Sequence, residues 1–291
     1  MKFTYNITHD IESIKAYLQE KYYSKKLIAA LIYQGGKILV NGINKKMSTS
    51  LSEGDRLEVY LPEEKLTDHF PSSNKNIIII YEDEYLLAVS KPPHLETIPS
   101  RLNNDDTLSN RVKFYYDTNK INSNIHVVNR LDKETSGLVI FAKSRYIHHL
   151  FSNYLEITKK YLAIVEGSLS DQLIEANIKR EVLKQTKRIV APDGQYAKTK
   201  VKVLCSNNNL SLIECKLYTG RTHQIRVHLS HISHPILGDN LYGGRSSKRL
   251  YLHCHALTFQ HPVLDKTIIL RNTPGEFYEK YFKKNLSEPL S

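Results

Sequence analysis

The sequence predicts an α+β protein in two parts: a domain on a large mixed, mainly antiparallel sheet, preceded by a small α/β module. Three observations carry that reading. The length, 291 residues, suffices for one full catalytic domain plus a small module. Beyond residue 76, many strand-like apolar runs accompany only a few helix-like segments, the pattern of a sheet with helices laid against it. Residues 62–75, "PEEKLTDHFPSSNK", are polar, carry two prolines and lack periodicity, which marks a flexible linker between the parts. The expected division is 1–66, a linker at 67–75, and 76–291.

The first part is read in order. "IESIKAYLQEKY" places Ile11, Ile14 and Leu18 on one helical face. "SKKLIAALIYQGG" is a second helix, with Ser24 as its cap and Gly35-Gly36 as its stop. "KILVNG" is a strand running into an Asn41-Gly42 turn. "SLSEGDRLEVYLP" adds a turn at Gly54-Asp55 and a last alternating strand.

In the second part, "NIIIIYEDEYLLAVSKPP" holds two strands around an acidic turn, and Pro92-Pro93 ends the second. "TLSNRVKFYYDTN" and "RYIHHLFSNYLEI" are expected helices, with the buried strand "GLVIFAKS" between them. "KKYLAIVEG" and "AKTKVKVLCSNNNLSLIECKLYTG" supply further strands before a helix at "THQIRVHLSHIS". No internal repeat or low-complexity segment interrupts this order.

Composition narrows the function. The net charge of +11 favours a polyanionic partner, most obviously nucleic acid. Residues 1–66 carry only +2 of it, so the excess of +9 lies in the larger part. Within that part, residues 175–202 hold eight Lys/Arg against three acids, a strip suited to a phosphate backbone. No apolar run approaches the roughly 20 residues of a membrane span, and the N-terminus lacks a signal-like segment. The three cysteines, Cys205, Cys215 and Cys254, are widely spaced and suggest neither disulfides nor a thiolate metal site. A reducing cytoplasm is the expected compartment.

In the stretch "NRLDKETSGLVIFAKS", Asn129 to Ser144, Arg130 and Asp132 precede a Thr135-Ser136-Gly137 turn, and a buried strand follows. Taken singly, Asp132 reads as a surface aspartate or a turn cap. In this setting the strand would anchor a turn closed by side-chain bonds and by glycine, fixing one carboxylate against a rigid sheet.

The pattern "NRLDKETSGL" resembles the "HRLDxxTSGL" of the RluA family of pseudouridine synthases, in its RluD-like type with an N-terminal S4 RNA-binding domain. "YEDEYLLAVSKPPHLETIP", "KKYLAIVEG", "GRTHQIRVHLSHISHPILGDNLYG" and "LHCHALTFQHP" resemble further family segments, so the likeness covers nearly the whole chain. "GGKILVNG" and "EGDRLEVY" resemble the S4 pattern over about residues 11–60, with Lys25 where arginine is usual. Asn129 replaces the usual histidine, His94 a glycine and Ile98 a histidine.

The resemblance implies a uridine isomerase that uses no cofactor or metal. It places Asp132 as the catalytic carboxylate, Tyr161 as the active-site tyrosine and Arg226 as the arginine paired with Asp132. The carboxylate would act as a nucleophile at C1′ or C6, or remove the ribose 2′ proton, and the sequence leaves these routes open. Tyr161 would stack on uracil or assist proton transfer at C5. The target base must leave its stack, most cheaply in a loop or bulge. Arg130, Lys91 and Arg221 are expected to contact the RNA beside the site, and Lys25 and Lys26, with Lys37, to meet phosphate from the first module.

The implied substrate is RNA, ribosomal large-subunit RNA first and transfer RNA second, bound by a monomer with no obligate protein partner and no membrane. The alternative from another class is a non-catalytic RNA-binding factor of the same fold. A glycosidase is disfavoured because that chemistry usually needs two facing carboxylates. The run His228, His231, His234 has no HExxH acid and reads as structural rather than metal-binding. "YGGRS" lacks both the Walker and the Rossmann pattern and reads as a turn.

Overall fold

The computed structural model describes residues 1–67, 70–101, 103–181, 186–207, 209–274 and 281–282. Lys184 of the basic strip and most of the expected domain's last stretch lie outside them.

The first module holds β1 (Lys2–Asn6), α1 (Ile14–Glu20), α2 (Lys25–Tyr33), β2 (Lys37–Val40), β3 (Ile43–Asn44) and β4 (Arg56–Tyr60). The strands form an antiparallel sheet in the order β1-β4-β2-β3. Ser24 caps α2 by accepting the Leu27 N–H, as its position in the sequence leads one to expect. Helix α1 starts later than its apolar spacing suggests. Ser13 accepts the Ala16 N–H and begins the helix, so Ile11 lies outside it and bridges Leu51 instead. Strand β1 is absent from the sequence reading; it forms because β4 offers it a free edge, a long-range cause that local periodicity does not show.

The second part continues with β5 (Ile78–Glu82), β6 (Leu86–Lys91), α3 (Leu108–Thr118), β7 (His126–Val127), β8 (Ser136–Ala142), α4 (Arg145–Asn153) and β9 (Thr158–Glu166). Then come β10 (Gln172–Glu175), β11 (Ile178–Arg180), β12 (Arg188–Val190), β13 (Lys198–Ser206), β14 (Leu210–Leu217), α5 (Gln224–His231), β15 (Leu252–Gln260) and β16 (Thr267–Arg271). The main sheet runs β10-β13-β14-β9-β15-β8-β6-β5, with β16 on β15 and β7 on β8. Its pairs are antiparallel except β15 with β8, so the sheet is mixed and mainly antiparallel. Every residue of β8 is buried, which explains why "SGLVIFA" reads as a continuous apolar run rather than an alternating one. Strands β11 and β12 form a separate two-stranded ribbon.

The two parts share one apolar core. Phe3 packs edge-on against Tyr146 at 5.1 Å between ring centres, Tyr23 lies 4.2 Å from Tyr146, and the Tyr146 hydroxyl donates to the Lys21 carbonyl at 2.8 Å. The described residues of the connecting segment form no helix or strand, but they are anchored rather than loose. The Glu64 carboxylate meets His126 Nε2 at 2.8 Å and accepts from Asn124 Nδ2 at 3.1 Å and from the Arg145 N–H at 2.5 Å, in the first turn of α4. Thr67 N–H donates to Asn124 Oδ1 at 2.7 Å. The expectation of a flexible linker therefore fails at these residues, because Glu64 finds partners some 60 or more positions away that composition does not reveal.

Candidate active site

A cleft of about 650 Å³ opens where the loop before β8, the middle of β9 and the start of α5 converge, a volume within the usual range for ligand sites. Asp132, Tyr161, Arg226, Arg130 and Arg221 all line it.

The loop that carries Asp132 is held on several sides. The Thr135 N–H closes it by donating to the Asp132 carbonyl at 3.1 Å. Thr97 clasps Leu131: its hydroxyl donates to the Leu131 carbonyl at 2.8 Å and accepts from the Leu131 N–H at 3.2 Å. Asn129 is buried, and its amide donates to the Leu138 carbonyl at 3.1 Å and accepts from the Ile140 N–H at 2.9 Å. The amide that replaces the expected histidine thus ties the loop to β8. Gly137 has φ +117, and a Cβ there would fall 2.3 Å from the Cys254 carbonyl, so only glycine lets β15 lie alongside β8. The turn is otherwise not built as its composition suggests. The buried Thr135 hydroxyl has no hydrogen-bond partner, and Ser136 belongs to β8, where its hydroxyl meets His253 Nδ1 at 2.7 Å.

Lys91 departs from expectation. It is fully buried, so it is no RNA contact. Its ammonium donates to the carbonyls of Leu95 at 2.6 Å, Pro92 at 3.0 Å and Lys133 at 3.1 Å, and so stitches the turn after β6 to the loop of Asp132. Burial lowers its pKa to about 7, against the opposing pull of Asp132 and Glu134. At the end of that turn His94 occupies a left-handed conformation, φ +61, where the resemblance leads one to expect glycine, and its ring pairs with Glu134. Ile98 lines the cleft with its side chain partly exposed.

Arg226 does not grip Asp132 with its fork. Nε and Nη2 both bind Asp239, each at 2.7 Å, and only Nη1 faces Asp132, at 4.0 Å. Burial opposes the guanidinium's charge, but the bonds and charge of Asp239 outweigh it and raise the pKa. Asp239 was not singled out in the sequence; its signal was the "LGDN" turn, where Gly238 at φ +84 lets the chain pass the Arg249 carbonyl. The guanidinium carbon also lies 4.9 Å above the Tyr242 ring.

His223 is a second residue the sequence reading missed. It caps α5 in the left-handed conformation, φ 58, with Nε2 3.8 Å from Asp132 and Nδ1 2.8 Å from the Tyr242 hydroxyl. That hydroxyl also accepts the Arg188 N–H at 2.9 Å. Burial pushes the imidazole's pKa below its usual value, only partly offset by Asp132, which favours the neutral ring. Tyr161, on β9, is buried, and that burial holds its phenol pKa well above the usual value; it is a neutral proton donor at neutral pH.

Arg130 is exposed at the cleft, and Arg221 is exposed at its rim with Nε held by the Tyr196 carbonyl at 3.1 Å. Lys25 and Lys26 are exposed in the first turn of α2, in the other module. His228 and His234 have local partners: His228 faces Thr199 at 3.0 Å and the Ala176 carbonyl at 3.3 Å, and His234 the Glu166 carbonyl at 2.7 Å. Among the described residues no group of three or more His, Cys, Asp or Glu is placed to hold a metal.

The arrangement offers one carboxylate, a third exposed, flanked by a fixed guanidinium, an imidazole and a phenol. That set can present a single anionic nucleophile to a base and its sugar and return protons to nearby atoms.

Comparison with known proteins agrees. The family described as RNA pseudouridylate synthase matches residues 85–231. An uncharacterised RNA pseudouridine synthase of Bacillus subtilis, YjbO, is 35% identical over 263 residues, covering 88% of this chain and 93% of that protein. A ribosomal large subunit pseudouridine synthase D of Xanthomonas campestris is 32% identical, covering 81% of this chain and 77% of its own length. The solved structure of human RNA pseudouridylate synthase domain containing 4 aligns with a TM-score of 0.60 at 25% identity, over 73% of this chain and 94% of that one.

Proposed function

The chain belongs to the RNA pseudouridylate synthase family and isomerises uridine in RNA, and from that premise we propose that its substrate is ribosomal large-subunit RNA, with Asp132 as the catalytic carboxylate. The observation that carries the residue assignment is the convergence of Asp132, Tyr161 and Arg226 on one cleft. Uracil leaves C1′, turns and rejoins through C5, and the C5 hydrogen is released as a proton; no net oxidation occurs. Asp132 acts at C1′ or C6 of the nucleotide or takes the ribose 2′ proton; in each route the C1′–N1 bond breaks, the C1′–C5 bond forms and releases the carboxylate, C5 loses its proton to solvent and N1 gains one. Arg226 and His223 face the Asp132 carboxylate at 4.0 and 3.8 Å and steady its charge. Tyr161 packs against the turned ring. Arg130 and Arg221 steady the flanking strand at the cleft.

The first module acts as an S4-type RNA-binding domain spanning 1–66, with Lys25 and Lys26 meeting phosphate. Its pattern of helices and strands, and the exposure of both lysines at the start of α2, support that role. The domain boundary falls in the segment 67–75, and the catalytic domain occupies 76–291. The protein works as a cytoplasmic monomer. The name carried by the Xanthomonas relative supports large-subunit RNA as substrate.

The test is to map pseudouridine in all stable RNAs of cells that have or lack this chain. Loss at a large-subunit position, restored by the wild type but not by Asp132→Asn, supports the reading. Loss confined to transfer RNA would replace the substrate, and an unchanged map would overturn it.

A further inference from the structure

Next to the catalytic cleft lies a second cavity of about 370 Å³, and the two share Gly220, Arg221 and Thr222 as a common wall. Lys179, Arg180, Arg188 and Arg221 line it against one carboxylate, Asp193. Lys179 already neutralises Asp193 at 2.8 Å. No carboxylate among the described residues pairs with Arg180, Arg188 or Arg221.

The β11–β12 ribbon that forms this cavity is built against its own stability. Arg180 and Arg188 are directly opposed across the antiparallel pair. Like charges so placed repel, and a two-stranded ribbon is marginal on its own. The ribbon is nevertheless fastened firmly: Ile178 exchanges backbone bonds with Gln195 at 2.8 and 2.9 Å, and the Arg188 N–H is held by the Tyr242 hydroxyl at 2.9 Å. Gly194 passes so close that a Cβ would lie 2.7 Å from the Ile178 backbone. Arg180 and Arg188 are thus held at opposed positions on a fixed frame, the Arg188 Nη1 donates to the Thr186 carbonyl at 3.0 Å, and Arg221 is held on the opposite wall by the bond of its Nε to the Tyr196 carbonyl at 3.1 Å. An anion between them would relieve the repulsion and accept paired bonds from planar forks.

We propose that this second cavity is a phosphodiester subsite for the RNA strand flanking the target uridine, with Arg180, Arg188 and Arg221 as its anion-binding groups. The shared wall makes the strand continuous from the flipped base to the bound phosphate. The subsite rests on the isomerase reading: it fixes the register of the strand on the ribbon and thereby which uridine reaches Asp132.

The test uses a large-subunit ribosomal RNA transcript labelled with tritium at C5 of uridine, with wild type, Arg180→Gln/Arg188→Gln and Arg180→Lys. Tritium release gives KM and kcat. Binding of the same transcript across a series of KCl concentrations gives the salt slope. The double variant should raise KM roughly tenfold, the scale of lost charge-assisted bonds, with the change on KM rather than kcat. Its slope of log K against log salt should fall by about 0.7 for each phosphate released. Arg180→Lys, which keeps the charge, should recover most of the salt slope. The double variant should melt no lower than the wild type, because repulsion is removed, so a folding defect is separable. Unchanged KM and slope would overturn the subsite and leave the isomerase reading intact. Release by no variant, wild type included, would count against the substrate reading, while the binding slopes would still decide the subsite.

Discussion

Arg226 and Asp239 form a buried two-point ion pair, both bonds at 2.7 Å, and the guanidinium nitrogen left over is the one that faces Asp132. The arginine is therefore a fixed electrostatic neighbour of the Asp132 carboxylate rather than its clamp. Asp239 holds the arginine in place, and Asp132 keeps an exposed face for substrate.

Removing Asp239 should do more harm than its distance from the substrate suggests. Asp239→Ala leaves a buried guanidinium unpaired, and loss of about 3–5 kcal/mol of stability is expected. Arg226→Lys cannot bind both Asp239 oxygens and face Asp132 at once, and kcat should fall about a hundredfold or more. Denaturant unfolding and single-turnover kinetics measure the two effects; a loss below about 1 kcal/mol for Asp239→Ala would remove the pair from its supporting role.

His223 predicts the acid side of the pH profile. Asp132, Arg226, Arg188, Asp239 and Tyr242 surround it, and burial depresses its pKa below 6.5. On acidification below that range the ring gains a second N–H and a charge, pairs with Asp132 and competes with substrate. Activity should fall along a limb lying below pH 6.5, and His223→Gln should abolish that limb. An identical limb in the variant would assign it to another group.

Lys91 should make stability rise with alkalinity. Its pKa is about 7 in the fold against 10.5 unfolded, so between these values the unfolded chain binds the extra proton. The contribution is fully present above pH 10.5 and is lost as pH falls towards 7. Comparing unfolding free energies of the wild type and Lys91→Met at pH 7 and pH 9.5 isolates it: the difference between the two proteins should shift in favour of the wild type at the higher pH. A constant difference would mean that the ammonium is not desolvated.

Glu64 ties the connecting segment to the larger part. Burial alone would raise its pKa, but the bond and charge of His126 and the Arg145 N–H bring it to about 2, against 4.5 unfolded. Its stabilisation is present above pH 4.5 and is lost as pH falls through 2. Glu64→Gln should cost roughly 1 kcal/mol at pH 7, discounted for partial exposure, and should speed proteolytic cleavage between residues 61 and 75. Cleavage at the wild-type rate would show that the segment is not anchored there.

What the sequence made legible follows local chemistry. Strands such as "KILV" and "GLVIFA" and the Ser24 cap each depend on neighbours in the chain, and the structure places them as read. Asp132, Tyr161 and Arg226 are legible through their ordered motifs and meet in one cleft. What stayed hidden depends on partners distant in sequence. The fork of Arg226 is taken by Asp239, thirteen residues on. Lys91 looks like a surface cation until the loop of Asp132 closes over it. The roles of His223 and Tyr242 exist only once α5 lies beside the turn at Asn240–Tyr242.

If Asp132 performs the isomerisation, tritium release from C5 of uridine reads that step itself. Uridine labelled at C5 in large-subunit ribosomal RNA must lose its tritium when the ring rejoins through that carbon. The wild type should release it and Asp132→Asn should release none while binding the RNA as tightly as the wild type. Release by Asp132→Asn at the wild-type rate would take the chemistry away from Asp132 and place it elsewhere in the cleft.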